Sequence, residues 1–178
     1  MNTRQGLVGL SLGGILLAVP VPAQQVTKSE VPGITNFARL ETTVACAGAT
    51  KPEAIPGIKK MGFASIINLR EATEQGADVE AEAAAAKTAS INYVHIPFNV
   101  GSPAPDLVER FIAAVTAPAN QPAYIHCAGG GRAATLWTIK RIQVDHWDQA
   151  RAFEEGTALG MTNRTRPFID NYLQTHKH

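Results

Sequence analysis

Apolar positions along the chain fall in short runs separated by longer amphipathic stretches. Residues 64–69 (ASIINL), 91–96 (INYVHI) and 123–126 (AYIH) have the length and β-branched or aromatic content of strands buried in a sheet. Residues 37–44 read as one or two further short strands. Between these runs lie helical patterns at 77–89, 106–115 and about 133–144, with two more near 147–155 and 166–174. The alanine run at 81–89 is a stretch of strong helix formers, and Pro105 and Asp106 mark the start of the 106–115 helix. Residues 52–60 predict a short helix that Pro56 and Gly57 interrupt. Strands alternating with helices predict an α/β fold, a three-layer α/β/α sandwich with a mostly parallel sheet. Ligands of such sheets sit at the carboxyl ends of the strands, which points to the loops at 70–76, 97–105 and 127–131.

Composition narrows the classes. Of 178 residues, 45% are hydrophobic and 17% charged, which excludes a disordered chain. Lys and Arg number 16 against 15 Asp and Glu, and no basic run stands out, so binding of nucleic acid by phosphate neutralisation is not expected. Two cysteines, Cys46 and Cys127, cannot build a disulfide framework or a four-thiolate zinc site. His95, His146, His176 and His178 lack metal-ligand spacing, so neither a metal nor a cofactor is expected. Near the N-terminus, Arg4 precedes an apolar stretch at 7–19, and Val21-Pro22-Ala23 offers a small-residue cleavage site before Gln24. This is the layout of a secretory signal peptide. The expectation is removal of residues 1–23, a single domain over 24–178, a periplasmic or secreted location, and no membrane insertion after cleavage. The oxidising compartment leaves open whether Cys46 pairs with Cys127 or is simply a small buried residue.

The chemistry concentrates in His126-Cys127-Ala128-Gly129-Gly130-Gly131-Arg132, between a predicted strand and a predicted helix. A Cys just ahead of a helix N-terminus feels the positive end of the helix dipole, which favours its thiolate. The glycines let successive N–H groups turn inward around an anion. Arg132 adds a planar pair of donors for phosphate-like oxygens. Together these groups suit transfer of an anionic group through a covalent cysteine intermediate.

The segment IHCAGGGRAATLW resembles the signature loop of the cysteine-dependent protein phosphatases, H-C-x5-R-[ST]. It differs in having four residues between Cys127 and Arg132 and in having Ala133 after the Arg. The shorter spacing is similar to that of a bacterial subgroup, the phosphatase-like domain of beta-lactamase-hydrolase-like proteins. Gly48-Ala49-Thr50-Lys51-Pro52-Glu53 is similar to that subgroup's G-Q-P-x-x-E loop, 62–70 (GFASIINLR) to its G-(F/Y)-x-x-V-I-N-L-R strand, and 93–97 (YVHIP) to its Y-x-H-I-P strand. The resemblance spans about residues 37–160 and implies a cysteine-phosphatase-like fold. It implies Cys127 as nucleophile, Arg132 and the amides of Ala128, Gly129, Gly130 and Gly131 as the anion site, and His126 as a residue that holds the Cys loop. It also implies a carboxylic acid that protonates the leaving oxygen. In the matching loop Asn99 has no proton to give. Asp106 can serve, or can cap its helix. Glu71 and Glu74, on the loop after residue 69, reach the site or form a solvated face.

Three functions remain after this reading. The first is hydrolysis of phosphate monoesters on a phosphorylated protein or small molecule, tyrosine- or dual-specificity-like, with Cys127, Arg132 and Asp106 as the catalytic set. The second is rhodanese-like sulfur transfer through a persulfide on Cys127, because the six positions from Cys127 to Arg132 match the rhodanese loop length. The third is a non-catalytic anion-binding module.

Overall fold

Residues 66–69 and 124–127 alternate strictly between the two faces of one sheet, as the strand period of two requires. Ile67, Leu69, Ile125 and Cys127 face one apolar cluster, while Ile66 and Tyr124 face the other. The computed structural model describes residues 25–176, so the expected targeting segment at 1–23 lies outside the described residues. Six strands form the sheet: β1 (Val26–Val31), β2 (Ile34–Leu40), β3 (Val44–Ala47), β4 (Ser65–Asn68), β5 (Asn92–His95) and β6 (Ala123–His126). Their order is β1-β2-β3-β6-β4-β5. β1, β2 and β3 pair antiparallel, whereas β3–β6, β6–β4 and β4–β5 are parallel.

The helices are α1 (Ile55–Lys60), α2 (Val79–Thr88), α3 (Leu107–Thr116), α4 (Gly131–Gln143), α5 (Gln149–Ala158) and α6 (Arg166–Thr175). Helices α1 and α2 cover one face through Ile55, Ile58 and Ala86. Helices α3, α4 and α6 cover the other through Leu107, Phe111, Leu136, Trp137 and Ile169. This is the three-layer sandwich the alternation of elements predicts. Each such Ile, Leu or Phe, once removed from water, contributes about 1.5–3 kcal/mol.

Several boundaries differ from the sequence reading. Residues 37–44, expected as one or two strands, belong to two, β2 from Ile34 and β3 running on to Ala47, because Glu41 turns the chain with φ 43° and Thr43 N–H closes the turn onto the Leu40 carbonyl. β1 was not expected. Helix α4 begins at Gly131 rather than near 133. Asp78 caps α2 and Asp148 caps α5, each accepting the N–H three residues on. Among the described residues no helix is long and apolar enough to cross a membrane.

Candidate active site

The carboxyl ends of β3, β6, β4 and β5 lie side by side, and the backbone ladder continues past them. Cys127 N–H donates to the Ala47 carbonyl (3.2 Å), Leu69 N–H to His126 (2.9 Å) and Phe98 N–H to Leu69 (3.0 Å). These bonds fix the starting points of three loops around one cleft of about 460 Å³. It is lined by Cys127, Ala128, Gly129, Gly131 and Arg132 from the β6–α4 loop, Glu71 and Glu74 from the β4–α2 loop, and Asn99 from the β5–α3 loop. Thr162, Arg164 and Thr165, ahead of α6, close the far side. A larger groove of about 1050 Å³ runs along β1 and β2 and shares Gly129 and Thr162 with the cleft. It contains neither the thiol nor the arginine.

Cys127 is buried at the head of α4. Gly130 sits at φ +95°, a conformation that L side chains resist, and this aims its N–H at the Cys127 Sγ (3.1 Å). The next N–H groups, those of Gly131 and Arg132, open the helix and have no acceptor within it. The β3 end braces the loop from behind. Ala49 N–H donates to the Ala128 carbonyl (2.9 Å), and the Asn36 amide donates to the Gly129 carbonyl (3.2 Å). A Cβ at Gly48 would stand 3.0 Å from the Ala128 carbonyl oxygen, so the two loops pack backbone to backbone.

Arg132 reaches across the sheet end. Its guanidinium donates to both carboxylate oxygens of Glu74, with Nη2–Oε2 at 2.8 Å, and to the Phe98 (2.7 Å) and Leu69 (3.3 Å) carbonyls. Burial alone would raise the Glu74 pKa. Hydrogen bonds from Arg132, the Glu71 N–H and Arg70 overcome this and hold it at about 2. For Arg132, burial opposes the charge, but the Glu74 hydrogen bonds and the neighbouring Cys127 raise its pKa. Arg70 is a structural residue: it donates to the Gly76 (2.8 Å) and Gln75 (2.7 Å) carbonyls and to Glu74.

Behind the thiol, His126 is fully buried among Glu82, Asn68 and Tyr93. Its Nε2 stands 3.0 Å from Glu82 Oε2. That is an ion-pair distance but not a hydrogen-bond geometry, and Nδ1 has no partner among the described residues. Asn68 donates to the same Glu82 oxygen (2.8 Å) and to the Tyr93 hydroxyl (2.9 Å). Cys46 is also buried, and both cysteines are free thiols. Burial first, and the nearby Cys127 second, raise the Cys46 pKa.

The structure thus brings together Cys127, the 128–131 loop, Arg132 and His126. It does not bring Asp106 to them. Asp106 precedes α3 without accepting a capping hydrogen bond, and its mostly exposed carboxylate faces Arg110 at 4.0 Å rather than the cleft. The sequence reading missed Arg164 and Asn36, because neither lies in a motif. Glu74, read from sequence as an acid or as part of a solvated face, is the partner of Arg132. Among the described residues no group of three or more His, Cys, Asp and Glu is placed to hold a metal ion.

A mostly parallel sheet between helical layers is the fold of the cysteine phosphatases. The chain belongs to the family of the beta-lactamase hydrolase-like protein, phosphatase-like domain, whose model matches residues 36–144. No curated protein sequence is similar enough to count as a match. Among solved structures, a DUF442 protein from Shewanella putrefaciens CN-32 has a TM-score of 0.66 at 20% identity, covering 82% of this chain and 96% of that one. P. aeruginosa TpbA has a TM-score of 0.64 at 18% identity, covering 88% and 92%. The core catalytic domain of the PP-IP phosphatase Siw14 from S. cerevisiae has a TM-score of 0.62 at 21% identity, covering 80% and 87%.

Proposed function

We propose that this protein is a phosphatase that hydrolyses phosphate monoesters through a phosphocysteine at Cys127. The observation that carries the reading is the Gly130 N–H aimed at the Cys127 sulfur at 3.1 Å, with the Arg132 guanidinium beside it. A phosphoryl group bound there meets a nucleophile and a ring of donors together. The thiolate attacks phosphorus, the S–P bond forms, and the ester O–P bond breaks as its oxygen takes a proton. Water then attacks phosphorus and releases phosphate and the thiolate. The N–H groups from Ala128 to Arg132, and the guanidinium, stabilise charge on the non-bridging oxygens in both steps. Glu74 holds the guanidinium in place, and the Leu69 N–H, donating to the His126 carbonyl, holds the start of the loop. A TpbA variant has been solved with phosphotyrosine, which supports a tyrosine- or dual-specificity-like substrate.

Rapid quench of the protein with an aryl phosphate, followed by mass spectrometry, should find a phosphoryl group on Cys127. Cys127→Ser should abolish turnover yet still bind inorganic phosphate. A persulfide after thiosulfate treatment, with no phosphoryl adduct, would instead select sulfur transfer. We also propose that the chain is exported and loses residues 1–23. N-terminal sequencing of the exported protein should begin at Gln24, and recovery of the intact Met1 form in the cytosol would overturn this.

A further inference from the structure

A phosphatase of this kind needs a proton for the leaving oxygen, and the expected donor, Asp106, lies outside the cleft. Among the described residues only two carboxylates line it, Glu71 and Glu74. Glu74 is spoken for: both of its oxygens accept from Arg132, and it is held as a carboxylate to about pH 2. It has no proton to give at neutral pH. Among the described residues Glu71 has no basic partner, and its Oε1 accepts only an amide N–H, from Asn99 at 3.2 Å.

The Asn99 amide is itself fixed. Its Oδ1 accepts the N–H groups of Gly101 (2.9 Å) and Ser102 (3.2 Å), which turns the β5–α3 loop and leaves Nδ2 to face Glu71. Glu71 is steadied from the other side by its own N–H, which donates to Glu74 Oε1 (2.9 Å). With Oε1 occupied as an acceptor, the proton of a neutral Glu71 belongs on Oε2, which has no partner among the described residues.

We infer that Glu71 is the general acid of this site and that Asn99 orients it. The inference rests on the phosphatase reading. As Cys127 bonds to phosphorus, the Glu71 Oε2 proton passes to the leaving oxygen and Glu71 becomes a carboxylate. In the second step that carboxylate takes a proton from the attacking water, which returns Glu71 to its acid form. The charged and titratable groups facing it across the cleft are Glu74 on its own loop, Cys127 and Arg132 from the β6–α4 loop, and Arg164 ahead of α6.

The test compares an alkyl phosphate with an aryl phosphate of an acidic phenol, on the full chain. Glu71→Gln should lower kcat on the alkyl ester by about 10²–10⁴-fold, the usual size of general-acid catalysis. It should change kcat on the aryl ester far less and leave affinity for inorganic phosphate unchanged. Asn99→Ala should weaken the alkyl reaction in the same direction. Equal rates for wild type and Glu71→Gln on the alkyl ester, with Cys127→Ser inactive, would overturn the role of Glu71 and leave the phosphatase reading standing. A wild-type protein that releases no phosphate from either ester would overturn both.

Discussion

Replacing Glu74 by Gln should act on Arg132 before it acts on the fold. The substitution removes the charge and one of the two oxygens that grip the guanidinium. Hydrogen bonds between charged groups are worth about 1.5–3 kcal/mol, so kcat/KM for a phosphate ester should fall by roughly tenfold or more. Unchanged kcat/KM would show that the two carbonyls alone orient Arg132. The same carboxylate has a pH signature. Its folded-state pKa of about 2 lies below the ordinary 4.5, so its stabilising contribution is complete above pH 4.5 and is lost as pH falls toward 2. The stability gap between wild type and Glu74→Gln should therefore close over that window, which acid titration of the two proteins would measure. Cys127, Arg132 and the 128–131 loop were legible in the sequence because one contiguous segment carries them. The Arg132–Glu74 pair was not, because 58 residues separate its partners. Nor does chain order tell that Asp106, at the α3 end of the β5–α3 loop, lies outside the cleft that Asn99 of the same loop lines.

The β6–α4 turn separates two roles that its glycines share in the sequence. Only Gly130 has a left-handed backbone, while Gly129 has an ordinary φ and open space where a Cβ would go. Gly130→Ala should cost about 1–2 kcal/mol, near 2–4 °C of Tm per kcal/mol for a chain of this size, and should turn the N–H away from the thiol. Gly129→Ala should stay within about 0.5 kcal/mol of wild type. Equal melting temperatures for the two variants would contradict this division. The same contrast explains what pattern reading could reach. Buried strands such as β4 and β6 announce themselves, since all four residues of each are hidden. β1 does not, because Thr27 to Glu30 face water along the sheet edge and carry no apolar alternation. The start of α4 was placed two residues late, because glycine is a poor helix former and its use here is set by the left-handed residue before it.

At the scale of the molecule, the site follows from topology. Parallel pairing of β3, β6, β4 and β5 brings four carboxyl ends to one edge, and the three loops that leave β6, β4 and β5 deliver the thiol, the carboxylates and Asn99. Helix α4 then lays its N-terminus across that edge and is pinned along its length. The Trp137 indole N–H donates to Glu155 (2.7 Å), and Arg141 bonds the same carboxylate (2.7 Å). The loop is thus anchored at both ends. The proposed chemistry requires transfer of phosphorus to Cys127. The most direct measurement is mass spectrometry of the Cys127 peptide after millisecond quench with an aryl phosphate. A phosphoryl adduct at that sulfur, absent in Cys127→Ser, is the predicted result; phosphate release with Cys127 unmodified at every quench time, or undiminished in Cys127→Ser, would contradict it.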